Sequence, residues 1–158
     1  MPKRINKDLY YLNIAKAVAQ RSTCLKRHYG AVIVNHDEII ATGYNGTARN
    51  QKNCCDSFPV CPRISKPHNS GDYSDCPAVH AEQNAMLSAS RQEMMGSTLY
   101  LYGEEYNENQ ELTPVKDCSP CPICARMIVN AGILNVVILN TRQEPSYLPI
   151  THITNHCC

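Results

Sequence analysis

The chain has almost no surplus of charge: fifteen Lys and Arg stand against fourteen Asp and Glu in 158 residues, a formal net charge of +1. Domains that grip nucleic acid by its phosphates usually present a strongly basic face, and a sequence pI near 7.5 leaves no such footprint. Long apolar runs are missing as well. None approaches the ~18 residues needed to cross a membrane. The opening stretch, MPKRINKDLYYLNIAKAVAQ, is charged and amphipathic and lacks the apolar core of a secretory signal. The expected address is therefore cytoplasmic. There is no internal repeat, and no CxxC lies outside the segment CSPCPIC.

What the chain has in quantity is cysteine, ten residues in all. In a reducing compartment, dense cysteine points to metal binding or catalysis before disulfides. Cys157 and Cys158 close a polar tail, THITNHCC, and carry little weight; the other eight fall between Cys24 and Cys124.

Apolar spacing gives the elements. Leu9, Leu12, Ala15 and Ala19 recur at helical intervals, which predicts an amphipathic helix over 8–21. GAVIVN (30–35) and EIIATGYN (38–45) read as strands that form a hairpin or lie side by side. Residues 46–77 lose all periodicity and are rich in cysteine and proline; a loop of that length in a compact domain is disordered or held by something. A helix is predicted over 78–92, a strand over 97–102, a polar insertion over 103–118, a helix from PICARMIVNA ending at Gly132, and a strand over 135–140. Strands alternating with helices predict one α/β domain, a three-layer α/β/α sandwich around a central mixed sheet of about five strands, with 141–158 as a tail.

Two short motifs carry the chemistry. Cys121 and Cys124 open the last long helix, where the positive end of the helix dipole favours thiolate. A zinc ribbon would need a separate CxxC, and a thioredoxin-like pair would need a strand running straight into its helix, where this chain has a polar insertion with Pro114 and Pro120. The segment VHAEQNA supplies the remaining donors. His80 and Glu82 sit at the start of another helix, so both can point toward one spot. His80, Cys121 and Cys124 would make a three-ligand zinc site with an open position, and Glu82 would stand beside it as a base. Taken singly, an HxE triplet is usually surface decoration and a CxxC is often structural. A Glu at 82 separates a catalytic site from a zinc-stabilised interaction module.

HAE followed by PCPIC resembles the zinc-dependent cytidine and deoxycytidylate deaminase superfamily, the signature of zinc deaminases. RSTCLKRHYGAVIV, GYNG, HAEQNA and PCPICARMIVNAGI resemble deoxycytidylate deaminases in order and spacing, over roughly residues 5–140. The resemblance implies a cytidine-deaminase-like fold and hydrolytic deamination of deoxycytidylate (dCMP) to deoxyuridylate (dUMP). Zinc would acidify a water, and Glu82 would carry its proton to the pyrimidine N3 and next shuttle a second proton to the departing amino group. It also implies a role for Asn45 on the sugar or base, with an Asn-Gly turn as the plain alternative. Arg27, Arg91 and Lys26 are the candidate phosphate donors.

Tyr29 stands where this family usually has valine, and the acidic insertion at 103–118 is a second departure. An acidic segment is a poor neighbour for a phosphate, so deamination of another small aminated base, nucleoside or nucleotide stays open. A tRNA-editing role would want a basic groove. Several relatives hold a second, structural zinc. Cys24, Cys54 and Cys76 match its positions, with Cys61 or His68 as the fourth ligand, and Cys55 and Cys118 are left over. The resemblance further implies a homo-oligomer (hexamer, tetramer or dimer). It also implies regulation by deoxynucleoside triphosphates, with Mg2+ only alongside such an effector.

Overall fold

The computed structural model describes residues 1–68, 70, 73–116 and 118–149. Cys157 and Cys158 lie outside the described residues. Helix α1 (Lys7–Ala19) leads into β1 (Arg27–Asn35) and β2 (Glu38–Tyr44). A loop follows that carries β3 (Gly46–Thr47), α2 (Cys54–Ser57) and β4 (Ala78–Val79). Then come α3 (Ala81–Leu87), α4 (Arg91–Met94), β5 (Thr98–Tyr106), β6 (Leu112–Pro114), α5 (Pro122–Ala131), β7 (Asn135–Leu139) and β8 (Pro145–Pro149).

The main sheet runs β2-β1-β5-β7-β8, with β6 paired to the far end of β5. It is mixed: β5 and β7 are parallel, and every other pair in it is antiparallel. Strand alternation divides the core into two layers. Ala31, Ile33, Leu99, Leu101, Val136 and Ile138 face α3 and α5, where they meet Ala85, Met86 and Ile128. Val32, Val34, Tyr100, Tyr102 and Val137 face α1 and pack on Tyr11, Leu12, Ala15 and Ala19. The expected three-layer α/β/α domain is what the chain forms.

Local chemistry explains the boundaries. Asn6 caps α1, its Oδ1 accepting from Asp8 N at 2.9 Å and Leu9 N at 3.2 Å. His36 (φ 49) and Asp37 (φ 63) turn β1 into β2, the two left-handed residues of a tight hairpin. The helix predicted over 78–92 is broken: α3 stops at Ser88, and Ser90 starts α4 in a reciprocal cap. Its Oγ accepts from Glu93 N at 3.2 Å and its N–H donates to Glu93 Oε2 at 2.8 Å. The serines of SASR favour caps over continuing the helix.

Two other expectations change. The polar insertion is largely sheet, since β5 continues to Tyr106 and returns as β6. At the hairpin tip Asn107 Oδ1 accepts from Asn109 N and Glu111 N, both at 2.9 Å. The tail begins with an unforeseen edge strand, β8, paired along its length with β7.

Gly43 sets where α3 lies. A Cβ there would stand 2.3 Å from Ala85 N and 2.4 Å from Ala81 O, so only glycine lets the helix sit directly on β2. Asn84 Nδ2 adds a hydrogen bond to Tyr44 O at 2.7 Å. The start of α3 is thereby fixed over the end of β2.

Candidate metal and substrate site

The starts of α3 and α5 converge. His80 immediately precedes α3, and Gln83 Oε1 accepts from its backbone N–H at 2.9 Å. Cys121 caps α5, its Sγ accepting from Cys124 N at 3.4 Å, and Pro122 occupies the first helical position. Gly132 (φ 85) ends α5 as expected. Cys121 Sγ lies 3.5 Å and Cys124 Sγ 3.4 Å from His80 Nδ1. A tetrahedral zinc with Zn–S and Zn–N bonds of usual length separates such donors by about 3.6 Å. Among the described residues, these three form the one group of potential ligands whose donor atoms all lie within 4.8 Å of one another. The donor set and spacing fit zinc.

Electrostatics follow the geometry. Cys121 is pulled well below the ordinary thiol range by the hydrogen bond from Cys124 Sγ first, with His80 and the Cys124 N–H adding. Cys124 is pushed up by the same shared hydrogen bond and by burial. His80 is raised, chiefly by Cys121. Glu82, 6% exposed on the first turn of α3, is raised by burial, and its carboxyl engages Cys124. A desolvated carboxyl beside a metal position is equipped to hold and release a proton.

The group opens on a cleft of about 730 Å3, part of it open to solvent. Its wall comes from β1, the link between β2 and β3, the loop after β3 and the segment before α5, through Arg27, Tyr29, Asn45, Arg63, His68 and Ser119. Tyr29 and His68 stack at a centroid distance of 6.2 Å and 22° between planes. Loss of solvation first, then the charges of Arg27 and Lys26, lowers the His68 pKa to about 4, so its ring is neutral.

Both ends of the Asn45 amide hold β1: Oδ1 accepts from Tyr29 N at 2.8 Å and Nδ2 donates to Arg27 O at 2.9 Å. Neither Asn45 nor Gly46 has positive φ, and the chain runs on into β3, so no left-handed Asn-Gly turn forms. One Nδ2 proton remains for a ligand. Of the expected phosphate donors, Arg27 and Lys26 line the cleft. Arg91 does not. Its Nε donates to Asn130 O at 3.1 Å, beside the last turn of α5.

Cys24, Cys61 and Cys76 also line this region. Cys24 Sγ accepts from Lys26 N at 3.5 Å and Cys61 Sγ from Arg63 N at 3.4 Å. Burial raises the Cys24 and Cys54 thiols, and the neighbouring sulfurs add to the rise. Among the described residues, no three of the sulfurs of Cys24, Cys54, Cys61 and Cys76 lie all within 4.8 Å of one another. His68 lies against Tyr29.

The profile of the cytidine and deoxycytidylate deaminase zinc-binding region matches residues 5–140. The chain belongs to this family. It is 38% identical over 131 residues to the deoxycytidylate deaminase of Schizosaccharomyces pombe, covering 82% of this chain but 36% of the yeast protein. It is also 38% identical over 136 residues to the deoxycytidylate deaminase of Mycobacterium phage D29, covering 82% of this chain and 91% of the phage protein. The chain thus spans about a third of the yeast relative and nearly all of the phage one. Among solved structures, the dCMP deaminase of cyanophage S-TIM5 in complex with dCMP and dUMP superposes with a TM-score of 0.57 and 26% identity, covering 87% of this chain and 85% of that one.

Within the family fold, the sequence left Arg63, Tyr73 and Glu105 unremarked. Arg63 is 4% exposed and lies over the Tyr73 ring at 3.8 Å, inside a stretch with no periodicity to mark it. Glu105 had a usable signal. Reading β1 from Arg27 and alternating along β5 sets Glu105 opposite Arg27.

Proposed function

We propose that this chain hydrolyses the 4-amino group of deoxycytidylate, giving deoxyuridylate and ammonia. The observation that carries the reading is a buried carboxyl, Glu82, beside a His/Cys/Cys group at the floor of a cleft with cations on its wall. The names of the phage and yeast relatives support the substrate class. Zinc held by His80, Cys121 and Cys124 would supply the Lewis acidity that brings a water's pKa down toward ~7.

The chain's own residues do the rest. Glu82, made a stronger base by burial, takes as carboxylate the proton of the attacking water and delivers it to N3 of the pyrimidine as C4 is attacked. The same carboxyl, left ionised, then takes the remaining proton from the hydroxyl on C4 and passes it to the amino group, which leaves as ammonia as the C4 carbonyl forms, so one group serves as base and acid. Tyr29 and His68 offer ring faces to the base, and the remaining Nδ2 proton of Asn45 a donor. Arg27 is the phosphate contact. Arg91 has no place in this scheme.

A second, structural zinc on Cys24, Cys54, Cys61 and Cys76 belongs to the same reading. It is supported by the backbone N–H groups already directed at Cys24 and Cys61, as thiolate ligands require. Cytoplasmic location and a homo-oligomer are also proposed. Among the described residues no helix is long and apolar enough to cross a membrane. Leu87, Ile123 and Leu134 expose large apolar side chains of the kind subunit contacts cover.

Ammonia release measured across deoxycytidylate, cytidylate, deoxycytidine, cytosine and guanine tests the substrate. Deoxycytidylate should lead by a wide margin; preference for a nucleoside or a free base overturns the reading.

A further inference from the structure

Three cations line the cleft, and their partners differ. Arg63 is paired with Asp75 (Nη1–Oδ1 3.1 Å) and donates Nη2 to Ser70 O at 2.6 Å. Lys26 directs Nζ to two loop carbonyls, Arg63 O at 2.9 Å and Lys66 O at 2.6 Å. Arg27 is held by β5: it sits directly across the strand pair from Glu105, with Nη2 2.9 Å from Glu105 Oε2. Its Nη1 donates to the Tyr29 hydroxyl at 3.1 Å. Its Nε is buried and meets no acceptor among the described residues. A buried N–H without an acceptor is costly and points to a ligand that supplies one.

The arrangement depends on strand alternation and one absent side chain. Arg27, Tyr29, Gly103 and Glu105 share the sheet face that carries α3 and α5. Gly103 lies opposite Tyr29, and a Cβ there would come within 2.4 Å of the Tyr29 ring. The ring therefore lies across β5 and brings its hydroxyl to Arg27, while the next residue on that face of β5 is the carboxylate. Beyond it, residues 103–114 form the β5–β6 hairpin, which carries four glutamates and no lysine or arginine.

We propose that Glu105 is a specificity-determining residue that limits the cleft to a single phosphate, an inference that rests on the deoxycytidylate reading. A phosphate monoester finds the free Arg27 Nε–H and the Lys26 charge. Glu105 already offsets much of the Arg27 charge and Asp75 that of Arg63, so a second phosphate group adds negative charge against a carboxylate with no unpaired arginine of the cleft lining to receive it among the described residues. Like charges brought together at a binding site act by exclusion of the wrong ligand.

The test is steady-state kinetics of the zinc-loaded enzyme on deoxycytidine, deoxycytidylate and deoxycytidine diphosphate, in the wild type, Glu105→Gln and Glu108→Gln. Glu105→Gln should raise kcat/KM for the diphosphate relative to the monophosphate by about tenfold or more, and leave deoxycytidine within about twofold. Glu108→Gln, an exposed hairpin carboxylate, should leave that ratio alone. In the wild type, which needs no variant to fold, the diphosphate should inhibit deoxycytidine turnover about tenfold more weakly than the monophosphate. An unchanged ratio in Glu105→Gln overturns the proposal. So does a parallel loss on both nucleotides, which would make Glu105 a support for Arg27, and so does an equal shift in Glu108→Gln. Faster wild-type turnover of deoxycytidine than of deoxycytidylate is a separate result: it removes the substrate reading and the filter with it.

Discussion

Cys121 Sγ and His80 Nδ1, 41 residues apart in the chain, stand 3.5 Å apart at the starts of two different helices. Neither residue could hold a metal alone. Their meeting depends on how closely α3 sits on β2 and on where α5 begins.

Glu82→Gln should keep its zinc and lose roughly 10³-fold in kcat, the scale of a positioned acid–base group. Metal analysis beside turnover is the measurement. A zinc-replete Gln variant that stays active removes Glu82 from the proton path.

His80→Ala and Cys124→Ser should each lower bound zinc by one per chain and abolish turnover. Cys24→Ser should remove the second zinc while the first stays in place. Elemental analysis of the purified wild type sets the frame: two zinc per chain supports the Cys24, Cys54, Cys61 and Cys76 site, and one rules it out. Prolonged chelation should lower the thermal midpoint, since a ligand bound only by the folded chain stabilises it by mass action.

Gly43→Ala and Gly103→Ala should fail in different ways. The new methyl at position 43 meets α3 backbone at Ala81, Asn84 and Ala85, so the helix that carries Glu82 must move. Stability should fall by about 1–3 kcal/mol in chemical denaturation, with turnover falling as well. At position 103 the nearest obstacle is the Tyr29 ring, a side chain that can swing. That variant should lose less stability and show its defect chiefly as a raised KM for deoxycytidylate.

Tyr11 offers a pH test remote from the metal. Its hydroxyl donates to Asp37 Oδ1 at 2.7 Å, and that bond, then burial, raises its pKa from 10.0 to about 12. Between these values the folded chain holds a proton that the unfolded chain has lost, so stability is full below pH 10 and declines from there to about pH 12. Tyr11→Phe should flatten that part of the alkaline denaturation profile; an unchanged slope assigns the loss to other groups.

The grouping of His80, Cys121 and Cys124 as candidate ligands, with Glu82 nearby, was readable from sequence because the signals are local. A cysteine before a proline at a helix start, or HAE before an apolar helix, needs only its neighbours to be recognised. The three layers were readable because Ala31/Ile33 against Val32/Val34 state both faces of β1 in consecutive residues. What stayed hidden depended on distant register. The strand predicted from Gly30 begins at Arg27, and that shift decides that Arg27 meets Glu105, 78 residues later. Asn45 belongs to the same class, since a turn signal in sequence proved to be a clamp on the β1 backbone. The break between α3 and α4 came from competing serine caps, a balance that helical spacing does not register. For β8, the pairing edge offered by β7 mattered more than the polar text of 141–149.

The proposed proton-transferring carboxyl and the candidate metal ligands sit at helix starts, whereas much of the cleft wall comes from the loop after β3. The reacting centre and the contour around it are therefore built from separable stretches of chain. A lineage carrying this fold can lengthen or recharge the contour, and so exchange one aminated ring for another, while inheriting the reacting centre intact.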